Sequence, residues 1–184
     1  MTLSKALVPS QSLLTRAVMV LGGSLFIALA AQVSVGFPVP MSLQTLAILI
    51  VGLGFGARMG ALTLVAYLAE GAMGLPVFAG GASAPALMGP TAGFLYGFVL
   101  MAWIAGFATD RGARGFLPMA LAALVASALL YIPGLAWPAL VMGKTVPELL
   151  SGWMLPFLAG DAVKAVMAAL VVAGGWAALK SRKA

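Results

Sequence analysis

The segment that organises this chain reads Pro156-Phe-Leu-Ala-Gly-Asp161-Ala-Val-Lys164. It places an acid and a base three residues apart inside a run that is otherwise apolar. A charged side chain at membrane depth costs at least ~2.5–3.5 kcal/mol on insertion scales. Two such charges predict surrounding helices that bury and pair them. They also make this segment the first candidate for a functional site.

The composition indicates a protein that lies almost wholly within a membrane. Hydrophobic residues make up 63% of the 184 residues, beside ten basic and four acidic residues. Soluble domains carry about 25% charged residues. Residues 17–57 and 71–109 contain no charged side chain, and each run exceeds the ~20 residues that one helix needs to cross the hydrocarbon. We predict an all-α integral membrane protein.

The residue types that the sequence lacks exclude several kinds of chemistry. The chain has no cysteine and no histidine, which removes thiol chemistry and the commonest general base and metal ligand. It has no phosphate-binding loop of the Walker type, so it does not hydrolyse ATP by itself. We predict no enzyme activity, no catalytic residue, no metal, no cofactor and no nucleic-acid partner.

Apolar runs separated by charges or by Gly/Pro breaks predict six transmembrane helices in a single membrane domain, residues 1–184. The approximate spans are 14–35, 42–56, 59–72, 91–108, 116–132 and 157–179. The first run contains Ala28-Leu-Ala30, which resembles a signal-peptidase site. A cleaved signal peptide is therefore the competing interpretation of that span.

Three segments between the spans are too rich in glycine and proline for regular helix: 36–41, 74–90 and 133–155. The second is also too apolar for a free surface loop. Irregular backbone is stable at membrane depth only where protein buries it or where it lines a cavity. We therefore predict irregular, re-entrant loops, all on one face of the membrane.

The basic residues set the predicted orientation. Six spans place both termini on one side, and eight of the ten basic residues fall on that side: Lys5, Arg16, Arg58, Arg111, Arg114, Lys180, Arg182 and Lys183. By the positive-inside rule that side is cytoplasmic. We predict a multi-pass protein of a bacterial cell membrane, with cytoplasmic termini and the Gly/Pro-rich segments facing outward.

Asp161 and Lys164 lie in the outer third of the sixth predicted span, at i and i+3, and therefore on one face of the helix. Pro156 suits a first helical turn. Asp161 lies near the positive end of the helix dipole, which favours its anionic form. Two interpretations remain open: a structural ion pair that offsets two buried charges, and a pair that binds a ligand in an outward-facing pocket.

Further candidates for ligand binding lie near the same face. Gln44 begins the second span and offers a donor and an acceptor; a polar cap facing the headgroups is the alternative. Glu70 lies one turn before segment 74–90 and is either a ligand contact or an exposed interfacial residue. Aromatic side chains nearby either wall an apolar pocket or pack in the ordinary way: Phe78, Tyr96, Tyr67 and Phe94.

Small residues occur on one face of the first span, as Ser24-x-x-x-Ala28. Such faces let membrane helices approach closely. The pattern is either ordinary membrane-helix composition or a docking face for another membrane protein.

Four motifs, in this order, resemble the BioY family, the biotin-specific substrate-binding components of energy-coupling factor transporters. They are Phe37-Pro-Val-Pro-Met-Ser-Leu-Gln44-Thr-Leu-Ala, Gly74-Leu-Pro-Val-Phe-Ala-Gly-Gly, Gly89-Pro-Thr-Ala-Gly-Phe and Ala159-Gly-Asp161-Ala-Val-Lys164. The resemblance spans residues 14–179. It implies six membrane helices and an outward pocket for biotin, closed by the loops after the first and third helices.

The resemblance also implies partners and site residues. Family members work with a transmembrane coupling protein and a pair of ATP-binding-cassette ATPases, and some occur without a dedicated energising module; a homo-oligomer is a further option. The family's acid and base carry over to Asp161 and Lys164, and its glutamine to Gln44. There are two departures: Ser24 replaces the alanine that usually begins the docking motif, and residues 80–85 include no basic residue, where some relatives have one nearby.

The chemistry of biotin agrees with these residues. An anionic Asp161 accepts hydrogen bonds from the ureido N–H groups, and Lys164 donates to the ureido carbonyl or to the carboxylate, as charge-assisted bonds. We predict high-affinity biotin binding from the outer face, as the capture step of import. The alternatives are a substrate-binding component for a different vitamin, a stand-alone transporter or facilitator, and a structural membrane protein in which the pair is internal bracing.

Overall fold

Most of the chain is α-helix, which confirms the predicted all-α class. A computed structural model describes residues 2–8, 12–35 and 41–181; the predicted break at 36–40 lies outside them. In chain order the elements are α1 (Leu3–Leu7), α2 (Leu13–Gln32), β1 (Ser34–Val35), β2 (Met41–Ser42), α3 (Gln44–Phe55), α4 (Ala57–Ala72), two 3₁₀ turns (Ala79–Gly81 and Ala84–Leu87), α5 (Ala92–Asp110), α6 (Phe116–Met142), α7 (Val146–Leu149), a π turn (Leu150–Met154) and α8 (Leu155–Ser181).

Four helical segments of the described residues are long and apolar enough to cross a membrane: α2, α5, α6 and the continuous helix Val146–Ser181. Their exposed surface suits lipid, since side chains such as Leu13 and Leu140 are each 85% exposed. The predicted spans 42–56 and 59–72 correspond to α3 and α4, which have 12 and 16 residues. Both are shorter than a typical crossing of ~20 residues, so the count of six crossings stays a prediction.

The central helix is α5, which packs against α3, α4 and α6. Glycines allow close contact there: a Cβ on Gly52 would lie 2.7 Å from the carbonyl oxygen of Ala102, and one on Gly106 would overlap the backbone of Gly56. Small residues let helix backbones approach in this way in lipid. The contacts fix α3 against α5 and thereby position Gln44, the first residue of α3.

Segment 133–155 is largely helical, which corrects the prediction of an irregular loop there. α6 does not end at residue 132 but continues through Pro133 and Pro138 to Met142. A proline inside a helix removes one hydrogen bond and costs ~3 kcal/mol. Unpaired backbone groups at membrane depth cost several kcal/mol each. An irregular loop in this segment would leave more backbone groups without hydrogen bonds than the two prolines do. The chain therefore stays helical as far as Met142.

The connection from α6 to α8 also differs from the prediction. Gly143 ends α6 in a left-handed conformation with φ 63°, which is common just after a helix. A capping box then starts α7, in which Thr145 and Glu148 each bond the other's backbone. The helix runs on through the π turn into α8, so the sixth predicted helix begins at Val146 rather than at residue 157.

Segment 74–90 has little regular structure, as its glycine and proline content predicts. It contains the two 3₁₀ turns, and Gly80 and Gly81 have positive φ values of 68° and 76°. Side chains from four helices donate hydrogen bonds to its backbone carbonyls: Gln32, Tyr67, Tyr96 and Trp137. These bonds hold the segment across the end of the bundle where α2 and α4 finish and α5 begins.

Candidate ligand-binding site

A cavity lies beneath segment 74–90, between β2, α3, α5, α6 and α8. It holds about 750 Å³ of empty space, mouth included. Most of its walls are apolar or aromatic, including Phe78, Phe94, Leu95, Phe98, Trp153 and Phe157. Its polar lining includes Ser42, Gln44, Thr45, Tyr131, Asp161 and Lys164.

Asp161 and Lys164 form an ion pair on the face of α8 that lines this cavity. Lys164 Nζ lies 3.0 Å from Asp161 Oδ1, and the two side chains are only 13% (Asp161) and 11% (Lys164) exposed. Charges interact more strongly in such surroundings than in water, but each must have its hydrogen bonds filled. The pair is internally bonded and also lines the cavity, so this geometry is compatible with both interpretations, and ligand binding by the pair stays a prediction.

Three further groups complete the polar network around the pair. Lys164 Nζ also donates to Thr45 Oγ1 at 2.9 Å and to the Ser42 carbonyl oxygen at 3.2 Å, so all three of its protons are engaged. The Tyr131 hydroxyl donates to Asp161 Oδ2 at 2.6 Å. The pair therefore links α8 to α6, α3 and β2.

The sequence interpretation missed these three groups. Tyr131 lies 30 residues from its partner, and Thr45 and Ser42 lie 119 and 122 residues from theirs, so no local spacing connects them. Ser42 and Thr45 flank Gln44 within the first quoted motif, which is the one available signal. Tyr131 lies in an apolar run that gives no signal.

Gln44 is buried, with 4% exposure, and not turned toward headgroups. Its side-chain amide donates to the Tyr67 hydroxyl at 2.7 Å, and that hydroxyl donates to the Val77 carbonyl oxygen at 2.7 Å. This series of bonds connects α3 through α4 to segment 74–90. No hydrogen bond from the described part of the chain reaches the amide oxygen of Gln44, which leaves an acceptor beside the cavity.

Phe78 forms part of the cavity wall and is 1% exposed. Its ring meets that of Tyr67 edge-on, with 5.3 Å between the centroids. The ring occupies space that Gly71 leaves, since a Cβ at position 71 would overlap it. Gly71 thus controls the position of this wall, although its sequence context gave no reason to single it out.

Glu70 and Tyr96 lie outside the cavity lining. The Glu70 carboxylate accepts a hydrogen bond from Ser24 Oγ at 2.7 Å, which ties α4 to α2. Tyr96 is 45% exposed, and its hydroxyl donates to the Leu87 carbonyl oxygen at 2.8 Å. Both side chains bond neighbouring parts of the chain, and a ligand contact by either residue stays a prediction.

Ser24 and Ala28 are buried, with 1% and 8% exposure. The small-residue face of α2 packs against α4 of the same chain, and a Cβ on Gly23 would meet Thr63 at 2.8 Å. Ser24 Oγ bonds Glu70 of α4; docking of another membrane protein at Ser24 and Ala28 stays a prediction. Both residues are buried where α2 packs against other helices of the chain.

The fold and the cavity together define a class of protein. Apolar helices with lipid-compatible exteriors surround a small cavity. It presents a largely shielded acid, a buried base and an amide, which is typical of a membrane-embedded binding protein for a small ligand with polar groups. A profile of the BioY family matches residues 4–181. This chain belongs to the BioY family.

Individual relatives agree with this assignment. The chain is 36% identical over 155 residues to a protein named "Biotin transporter BioY" from Rhizobium etli, covering 79% of this chain and 82% of the relative. It is 36% identical over 153 residues to a "Probable biotin transporter BioY" from Pyrococcus horikoshii, covering 80% and 90%. With its apolar helices and transporter relatives, the chain is a multi-pass membrane protein.

The fold is also similar to a solved structure. A crystal structure of the S-component for biotin from an ECF-type ABC transporter superposes with a TM-score of 0.76. The two sequences are 22% identical, and the match covers 95% of this chain and 96% of the other. At this identity the match establishes a shared fold.

Proposed function

We propose that this chain binds biotin with high affinity and takes part in biotin uptake, as the substrate-binding component of an energy-coupling factor transporter. The observation that carries the proposal is the buried Asp161–Lys164 pair in the lining of an aromatic cavity, in a chain of the BioY family. Relatives named as biotin transporters support it, as does the fold shared with a biotin S-component. The same relatives favour transport over catalysis.

The polar groups of the cavity match the polar groups of biotin. Asp161 and the amide oxygen of Gln44 are acceptors for the two ureido N–H groups, and Lys164 is a donor for the ureido carbonyl or the carboxylate. Three acceptors already surround Lys164, so a ligand oxygen must replace one of them. The apolar rings and chain of biotin would pack against walls such as Phe78 and Trp153.

We propose six crossings, with both termini in the cytoplasm and the cavity facing outward from a bacterial cell membrane. In this arrangement α3 and α4 form two short crossings. Arg58, Arg111 and Arg114 support it, because they lie at the α3–α4 and α5–α6 turns, at the end of the bundle opposite the cavity. Arg114 also packs over the ring of Trp176, near the end of α8, at 4.9 Å. Basic residues gathered at one end follow the positive-inside rule.

We further propose a transmembrane coupling protein and ABC-type ATPases as partners, in line with the transporter to which the similar S-component belongs. A stand-alone facilitator is the alternative. Reconstitution of the chain alone in liposomes, without ATP, distinguishes them: accumulation or exchange of labelled biotin there favours the facilitator. Analytical ultracentrifugation in detergent distinguishes a monomer from a homo-oligomer.

Equilibrium titration of labelled biotin against the purified protein tests the proposed function. We expect saturable binding by the wild type. In Asp161→Asn and Lys164→Ala we expect affinity to fall by about 10- to 100-fold, because a hydrogen bond to a charged group contributes ~1.5–3 kcal/mol. Thermal unfolding of each variant is measured alongside, so that loss of binding is separated from loss of folding.

Lys144→Ala and Glu148→Gln are the matched controls. These two residues form the other ion pair of the described chain, at 3.8 Å and with side chains 38% and 54% exposed, and neither lines the cavity. Wild-type affinity in both Asp161→Asn and Lys164→Ala would reject the site. If the wild type binds no biotin, the proposal that biotin is the ligand is wrong, and a panel of other vitamins would then identify the alternative.

A further inference from the structure

The hydrogen bonds that run from Gln44 to segment 74–90 have a direction that the number of protons imposes. The Tyr67 hydroxyl oxygen lies 2.7 Å from the Val77 carbonyl oxygen and 2.7 Å from Gln44 Nε2. A carbonyl oxygen only accepts, and a phenol carries one proton. The Tyr67 proton therefore lies on the bond to Val77, and the Tyr67 oxygen must accept a hydrogen bond from Gln44.

This direction decides which end of the Gln44 amide meets Tyr67. Only the NH₂ group of an amide donates, so this group faces Tyr67 and the amide oxygen faces away. The oxygen has no partner in the described part of the chain. It also keeps accessible surface, since the fully buried side-chain atoms left unpaired there are Ser127 Oγ and Trp176 Nε1. Gln44 lines the cavity, so the cavity meets an acceptor rather than a donor.

The surroundings of Tyr67 keep this arrangement in place. Tyr67 is 0% exposed, so water does not compete for its proton, and its ring packs edge-on against Phe78. Gln32 Nε2 donates to the carbonyl oxygens of Pro76 and Phe78, at 3.4 Å and 3.3 Å. These two residues are the chain neighbours of Val77. The Val77 carbonyl is thereby held within reach of the Tyr67 hydroxyl.

We propose that Tyr67 is a positioning residue that turns the amide oxygen of Gln44 toward the cavity, so that the site selects a ligand with an N–H group at this point. Tyr67 does not line the cavity and acts through Gln44. The inference rests on the proposed function, in which Gln44 and Asp161 accept from the two ureido N–H groups of biotin. A ligand that presented an acceptor to Gln44 would leave two buried acceptors facing each other without a proton, which is unfavourable.

Three ligands of nearly the same shape test the orientation of the amide: biotin and its two cyclic carbamates, in each of which an oxygen replaces one ureido N–H. We expect the wild type to bind each carbamate about tenfold or more weakly than biotin, because either Gln44 or Asp161 then faces an acceptor. Tyr67→Phe keeps the ring and removes the hydroxyl, so Gln44 can turn its NH₂ group to the cavity. Selectivity against one carbamate should fall about tenfold, while selectivity against the other stays at the wild-type value.

Tyr96→Phe is the matched control. It also removes a tyrosine hydroxyl that donates to segment 74–90, at 2.8 Å from the Leu87 carbonyl oxygen, but Tyr96 lies outside the cavity lining. We expect its selectivity among the three ligands to equal that of the wild type. The same loss of selectivity in Tyr96→Phe as in Tyr67→Phe would overturn the proposal, since a weaker hold on the segment would then be enough to explain the effect.

Gln44→Leu tests the same idea if thermal unfolding shows that Tyr67→Phe does not fold. It removes the acceptor, so selectivity against the same carbamate should fall about tenfold. In a Gln44→Leu background Tyr67→Phe should change selectivity no further, because residues that act through one another are non-additive.

The outcomes separate this inference from the proposed function on which it rests. Unchanged selectivity in Tyr67→Phe or in Gln44→Leu would overturn the role of Tyr67, and so would equal affinity of the wild type for all three ligands, while biotin binding itself would stand. A wild type that binds none of the three ligands would overturn the proposed function and this inference with it.

Discussion

The two ion pairs among the residues that the structure describes have the same charges in opposite surroundings. Asp161 and Lys164 lie 3.0 Å apart with side chains 13% and 11% exposed, whereas Lys144 and Glu148 lie 3.8 Å apart with side chains 38% and 54% exposed. Water screens the second pair, and exposed pairs contribute little to stability. The first pair is shielded and bonded to three elements besides its own helix. Burial, more than charge, decides which pair is suited to bind a ligand.

The exposed pair has a local role. Glu148 accepts a hydrogen bond from the backbone N–H of Thr145, at 2.9 Å, and another from its hydroxyl, at 3.1 Å, and these bonds start α7. Nothing in this arrangement reaches the cavity. The buried pair instead joins distant parts of the chain, so changes at the two pairs should have very different consequences.

The largest expected effect distinguishes a role of Asp161 and Lys164 in stabilising the fold from a role in binding biotin. Lys164→Met should lower the free energy of unfolding by about 3–5 kcal/mol, because it leaves Asp161 as an uncompensated buried charge. The double variant Asp161→Leu/Lys164→Met should recover most of that stability, because no charge is left unpaired, and should bind biotin at least as weakly as Asp161→Asn or Lys164→Ala does. Unfolding in detergent and biotin titration check the two parts. A double variant that binds biotin normally would show that the pair is bracing only.

The second expected effect concerns the hydroxyl that bonds Asp161. Tyr131→Phe removes this hydrogen bond to a charged group, worth ~1.5–3 kcal/mol, and keeps the ring that packs edge-on against Phe94 at 6.0 Å. We expect biotin affinity to fall by about tenfold, measured by titration. Tyr96→Phe is the control, since its hydroxyl bonds a carbonyl outside the cavity. Equal losses in both variants would contradict a specific role for Tyr131.

The third expected effect extends the comparison from the charges to the apolar wall. Gly71→Ala places a methyl group where the Phe78 ring now lies, and overpacking of this kind costs ~1–3 kcal/mol. We expect weaker biotin binding and a lower melting temperature, because Phe78 must move. Gly174→Ala is the control, since its Cβ would meet no atom within 4 Å. Unchanged binding in Gly71→Ala would mean that this wall does not contact the ligand.

The smallest expected effect is at the exposed pair. Glu148→Gln should leave biotin affinity unchanged in titration, because the side chain lies outside the cavity and its hydrogen bonds with Thr145 are local. A loss of affinity as large as that of Asp161→Asn would contradict the conclusion that burial distinguishes the functions of the two ion pairs.

Local geometry made part of the candidate site predictable. Asp161 and Lys164 are three residues apart on a helix, so their shared face follows from the helical repeat alone. Gln44 was predicted from its position after a proline-containing break and from its motif. The irregularity of segment 74–90 followed from its glycines and prolines.

Other features were not predictable from local patterns. Tyr131, Thr45 and Ser42 join the network across 30 to 122 residues of sequence, and no periodicity connects such distant positions. Segments 74–90 and 133–155 both contain glycine and proline, yet one is irregular and the other mostly helical. Side-chain donors satisfy the carbonyls of the first, whereas the second continues as helix past its two prolines.

From the sequence alone this chain could be predicted to be an all-α membrane protein, with an acid and a base on one helix face and with motifs that resemble those of the BioY family. These follow from composition, from helical spacing and from short contiguous patterns. Only the packing of the folded chain revealed which groups complete the network around Asp161 and Lys164, that Glu70 and Ser24 bond each other, and that α6 passes two prolines. The physical reason is the same in each case: buried polar groups must find partners, and packing, not sequence distance, determines which partners are within reach.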